Sequence, residues 1–151
     1  MNIKLRIFTQ LAVITLLISS ATALQAQLRP YRVTDNQVQA IIDKLETDTD
    51  AFTTEMNRGT GNTSVTTMLR DFEDSTDRLK DNFTSRRSSS ADVQDVINRS
   101  FPITNYIRTN RISMRSDDLW STVKSDINTL AGYYNIIVNW TNNTGPVSGN
   151  T

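Results

Sequence analysis

The chain has 151 residues, 16 Lys/Arg against 16 Asp/Glu, and neither histidine nor cysteine. The missing thiols and imidazoles exclude disulfides, thiolate nucleophiles, Ser-His-Asp and Cys-His catalysis, imidazole-bound zinc and axial-histidine haem, leaving only carboxylate, lysine, tyrosine or hydroxyl chemistry. A formal charge of zero also argues against a nucleic-acid binder, which needs a basic surface to displace counterions from phosphates.

Residues 1–26 read as a cleavable secretory signal peptide. Lys4 and Arg6 precede the uncharged run Leu11–Ile18, and the small residues of Ser19–Ala23 follow, with cleavage expected after Ala23 or Ala26. The apolar run is about half of the ~20 residues that cross a bilayer, and no second one follows, so no membrane span is expected after cleavage. Removal of Lys4 and Arg6 leaves 125 residues of net charge −2, enough for one hydrophobic core. The expected location is periplasmic or extracellular, with a protein partner in the envelope and no cofactor. The short signal and absent cysteines point to a bacterial source. There, the Asn-X-Ser/Thr sites at Asn62, Asn82, Asn98, Asn139 and Asn142 are accidents of composition.

Residues 27–33 form an extended lead-in, because the residue before Pro30 avoids the helical region. Thr34 or Asp35 then offers an N-cap. Val38, Ile41, Ile42, Leu45, Thr49, Phe52 and Met56 trace one helical face as far as Gly59-Thr60-Gly61. A shift of 27 residues gives the same spacing at Val65, Met68, Leu69, Phe72, Thr76, Leu79 and Phe83. Residues 34–58 and 62–86 are therefore predicted to form an antiparallel helical hairpin, with Phe52 and Leu79 as core anchors. The Thr49 and Thr76 hydroxyls are expected to bond the carbonyl one turn back.

Arg86–Ser90 reads as a linker, with Ser89 or Ser90 capping a third helix through Val93, Val96 and Ile97. Pro102 should break or kink it, giving Ala91–Ser100 and Ile103–Thr109 as one bent helix or two short ones. The fourth helix is expected from near Ser116, carrying Leu119, Trp120, Val123, Ile127, Leu130, Tyr133, Tyr134 and Ile137. Residues 141–151 read as a disordered tail. The predicted fold is all-α: an antiparallel bundle of about four helices over residues 34–140. The apolar stripes are wider than a two-stranded coiled-coil seam requires.

The run Tyr31-Arg32-Val33-Thr34-Asp35-Asn36-Gln37-Val38, then Ile42–Glu46, and Leu130-Ala131-Gly132-Tyr133-Tyr134-Asn135 near the end, resembles uncharacterised exported helical proteins of bacteria. That resemblance implies export and a helical fold, and carries over no catalytic or binding residue.

Charge is unevenly placed. Residues 27–85 hold seven Lys/Arg against eleven Asp/Glu, a net of −4; residues 86–115 hold six Arg against two Asp, a net of +4. The pairs Glu46/Asp50 and Glu73/Asp77 set like charges at i,i+4, a spacing that destabilises an isolated helix. Relief is expected from Arg99, Arg108 or Arg111 reaching across. The leading reading is a non-enzymatic exported domain that acts by binding, with no catalytic, cofactor or metal residue assigned. The alternative is a carboxylate-based cation-binding protein, or a His-independent enzyme, built on Glu46, Asp50, Glu73 and Asp77. Tyr31 and Trp140, outside the strongest helical patterns, stand out among the aromatics as candidates for a binding site, with packing over the bundle ends an equal reading.

Overall fold

Thr34 starts the first helix by a reciprocal cap. Its Oγ1 accepts from the Gln37 N–H at 3.3 Å, while the Gln37 Oε1 accepts from the Thr34 N–H at 3.1 Å. The computed structural model describes residues 29–59, 63–141 and 147–148. The chain divides between Pro30 and Tyr31, and the fold is that of the unit Tyr31–Thr151. The expected signal peptide, with both cleavage positions, lies outside the described residues.

Four helices follow in order: α1 Asp35–Gly59, α2 Thr63–Thr84, α3 Ser90–Thr109 and α4 Met114–Tyr133. Short connections make sequential neighbours antiparallel. α1 packs most extensively on α4, then α2 on α3, α1 on α2, and least of all α3 on α4. The four helices thus form a closed ring, with α1 opposite α3 and α2 opposite α4. This is the predicted bundle.

Each boundary has a local cause. α2 ends in a Schellman turn: the Arg87 N–H bonds the Asn82 carbonyl, the Arg86 N–H bonds the Phe83 carbonyl, and Arg86 takes φ 55°. The Asp92 carboxylate reaches back to the N–H and hydroxyl of Ser89, ahead of α3. α3 then runs unbroken through Pro102. The proline leaves the Asn98 carbonyl without its helical donor, and both residues lie on the exposed side, where water can serve. The fourth helix begins at Met114, two residues earlier than expected, because Ser113 is its cap and accepts from the Ser116 N–H at 3.0 Å. It also ends earlier. Asn135 adopts φ 58° and turns the chain, so Ile137 lies outside the helix.

Ile136–Ile137 (β1) pairs antiparallel with Val147–Ser148 (β2), Ile136 opposite Ser148 and Ile137 opposite Val147. Most of the expected disordered tail, residues 142–146 and 149–151, lies outside the described residues; this two-residue pairing falls within it.

Most of the buried apolar side chains are those of the predicted stripes, including Phe52 and Leu79, both fully inaccessible, but Ile137, expected on the fourth stripe, is exposed. Trp120 of α4 lies at the centre, its ring centroid 4.9 Å from Phe52 of α1 and 5.6 Å from Phe72 of α2. Tyr31 packs against Phe83 and Tyr134, and Trp140 against Phe101 while its Nε1 donates to Asn128. Both are partly buried against the core: Tyr31 lies at the end where α2 and α4 finish, whereas Trp140 lies beside interior positions of α3 and α4 rather than over an end. Of the two stripe threonines, Thr76 donates to a backbone carbonyl, that of Glu73. Thr49 does not: its buried Oγ1 has no hydrogen-bond partner among the described residues.

Two substitutions three residues apart on α1 should therefore act with opposite sign. Phe52→Ala should destabilise by about 2–5 kcal/mol, from lost burial plus the cavity left behind. Thr49→Val, which keeps the volume and removes an unsatisfied hydroxyl, should stabilise by about 1 kcal/mol. Urea denaturation checks both. A lower midpoint for Thr49→Val would mean that the hydroxyl has a partner.

Candidate functional site

The acidic borders are relieved only in part, and not by the arginines expected. Lys80, on α2 itself, pairs with Glu46 and also lies 3.5 Å from Asp43. Glu73 accepts from the Thr53 hydroxyl. Arg99 pairs with Asp95 and Asp71, Arg108 donates to Asn105, and Arg111 has no ion-pair partner among the described residues. None of the three arginines meets Glu46, Asp50, Glu73 or Asp77. The physical reason is azimuth: the acids face outward along the α1–α2 seam, whereas α3 packs on the far side of α2 and meets Asp71 and Arg78. Charge complementarity between α2 and α3 exists, carried by Arg78–Asp95 at 2.6 Å and Arg99–Asp71 at 3.5 Å.

The four acids do not converge either. Among the described residues no three acidic side chains gather in a way that could hold a metal ion. The Lys80 ammonium has its own affinity for protons raised, chiefly by its hydrogen bond to Glu46. Asp77 is pushed above the ordinary carboxylate range by partial desolvation, and next by Glu46, Asp50, Asp74 and Asp81. The arrangement is a solvated acidic seam with one lysine stitched into it.

A second constellation was not foreseen. Asp126 of α4 is buried, with its side chain 6% exposed, and both its oxygens lie 2.8 Å from the Lys44 Nζ of α1. Lys44 also bonds Asp48 at 2.6 Å. The signal was present in the sequence: Asp126 stands three residues after Val123 and four before Leu130, on the apolar face itself. Desolvation pushes the Asp126 carboxyl up, and Asp48 beside it adds to this, so that Lys44 only partly offsets the shift. For Asp48 the largest single effect, desolvation, also acts upward, yet the hydrogen bonds from Lys44 and Asp126 together carry it below the ordinary range. Lys44 is raised, first by its bond to Asp126 and then by that to Asp48. The group reads as a structural clamp between α1 and α4.

Open space lies at the end of the bundle where α1 and α3 finish and α4 begins. A recess of about 280 Å³ is lined by Glu55, Met56, Arg58 and Gly59 of α1, Tyr106 of α3, Arg111–Ser113 of the connection, and Ser116 of α4. It lies near the lower edge of the range of small-molecule sites, roughly 300–1,000 Å³. Met56 is buried and Ile112 partly so, giving an apolar floor. The Glu55 carboxylate is shared at 3.5 Å by Arg58 and by Arg115 of α4. Ser113 and Ser116 bond each other, Oγ to Oγ at 2.8 Å.

The clamp generates a pH-dependent prediction. A raised folded-state value means that the acid form of Asp126 is the one the fold favours, so its contribution to stability is present at low pH and lost as pH rises through that value. Lys44 offsets this cost when Asp126 is ionised. Lys44→Met should therefore destabilise at pH 7 by about 1–3 kcal/mol, less than for a fully buried pair because half of the lysine is exposed. At acid pH, as Asp126 takes up its proton, the deficit relative to the parent should shrink but not vanish, because Asp48, held below the ordinary range, still pairs with Lys44. Urea unfolding at both pH values checks this, and an equal deficit at both would contradict the assigned clamp.

No protein-family model, no curated protein and no solved structure matches this chain.

Proposed function

We propose that this is an exported, non-enzymatic helical domain that works by binding, in the cell envelope or outside the cell, with the recess at the α1/α3/α4 end as its ligand site. The observation that carries the reading is the recess itself, which combines an apolar floor with guanidinium and hydroxyl groups. The lack of histidine and cysteine supports a binding rather than a catalytic role. The order of basic, apolar and small residues in 1–26 supports export. No helix among the described residues is long and apolar enough to cross a membrane. The reading that Glu46, Asp50, Glu73 and Asp77 hold a cation or act catalytically loses ground, because Lys80 and Thr53 already engage two of them.

Two measurements test this reading. Intact mass of protein recovered outside the cytoplasm should start between Leu24 and Leu28; retention of residues 1–23 would contradict export. Thermal-shift screening against small anionic, neutral and cationic metabolites should yield ligands that raise the midpoint by mass action. Ca²⁺ or Mg²⁺ should leave the midpoint unchanged, and a marked rise with either would favour the acidic seam instead.

A further inference from the structure

Resting on the reading of the recess as a binding site, we propose that it selects a compact amphiphilic carboxylate, its anionic head held by arginine and its short apolar body laid on Met56 and Ile112. The charges around the opening carry the first half. Glu55 is the only acid among the lining residues, and it is already shared by Arg58 and Arg115. Arg111 also lines the recess, is exposed, and makes no ion pair among the described residues. Among the lining residues, two guanidinium groups, Arg58 and Arg111, stand against one carboxylate, a local excess of one positive charge. The acids of the first turn of α4, Asp117 and Asp118, do not line the space. A planar guanidinium can meet a carboxylate with two parallel hydrogen bonds, which makes arginine better suited to this head group than lysine.

The hydroxyls carry the second half of the polar recognition. Ser113 Oγ accepts from the Ser116 N–H, and the two hydroxyls share one bond between them. Two hydroxyl protons and one mutual bond leave one O–H to be given elsewhere, whichever serine is the donor within the pair. Both serines line the recess, at the N-terminus of α4, where the helix end is electropositive and adds to the arginine field. The volume limits the apolar part: at about 280 Å³ the recess suits a short chain rather than a drug-sized ligand. The apolar floor, in turn, disfavours a bare inorganic anion, which would leave the partly buried Ile112 facing it without gaining from its burial.

The test uses amide NMR of the mature chain titrated with hexanoate, its neutral isostere hexanamide, hexylamine and inorganic phosphate. Hexanoate should shift the amides of Ile112–Ser116 saturably. Hexanamide and phosphate should each bind at least about tenfold more weakly, as expected when a charge-assisted hydrogen bond or the apolar contact is lost. Arg111→Gln removes a side chain with no ion-pair partner, so it should leave helicity intact and weaken hexanoate by a similar factor. Hexanamide or hexylamine binding as well as hexanoate would overturn the carboxylate assignment while leaving the recess as a binding site. Phosphate matching hexanoate would overturn the amphiphilic part. If none of the four compounds moves these amides, the recess as a ligand site falls together with the ligand class.

Discussion

Trp120 meets all three other helices. Its ring lies against Phe52 of α1 and Phe72 of α2, and its Nε1 donates to Thr104 Oγ1 of α3 at 3.3 Å. α2 and α4 are opposite one another in the ring, and their backbones do not approach. The indole, one of the largest side chains, spans that gap. A bundle of four stripes closes only if something fills its axis, and here a single residue on α4 does so. The buried N–H would be costly if left unpaired, so Thr104 must face inward. Thr104 in turn donates to the Ser100 carbonyl, one turn earlier in α3. The rotation of α3, and hence which of its residues reach the α1/α4 end, follows from that chain of bonds.

The polar groups within the core sharpen this arrangement. Thr53 with Glu73 crosses from α1 to α2, and Lys44 with Asp126 crosses from α1 to α4. Each pair has little slack: sliding one helix by a turn would leave a buried carboxylate or hydroxyl unpaired. The aromatic centre fixes which faces meet, and these pairs fix the height at which they meet. The ends of α1, α3 and α4 are thereby held together, and the recess with its arginines is the outcome.

Much of this was legible in the sequence because it is periodic. The stripe from Val38 to Met56 and its counterpart from Val65 to Leu79 identify two helices and their buried faces. Val93, Val96 and Ile97 do the same for α3. Features depending on a single local bond were harder to read. Ser113 as a cap looks like any serine in a loop until the Ser116 N–H is seen to need an acceptor. Asn135 ends α4 four residues before the apolar pattern does, because a left-handed residue overrides periodicity. The cross-helix ion pairs were out of reach for another reason. A helical wheel gives height and angle on one helix, not which neighbour stands on which side, so a matching +4 and −4 could be assigned to the wrong acids. The recess draws on two segments far apart in the chain, 55–59 and 106–116, neither of which carries a motif.

Trp120, not the partly buried Trp140, occupies the dry axis of the bundle. Trp140→Phe leaves Trp120 as the only tryptophan, and its fluorescence reads its surroundings directly. Blue-shifted emission, resistance to acrylamide quenching, and loss of both in the same urea transition that removes helical circular dichroism are expected. Water-like emission, quenched as freely as an unfolded chain while the helices remain intact, would contradict that placement.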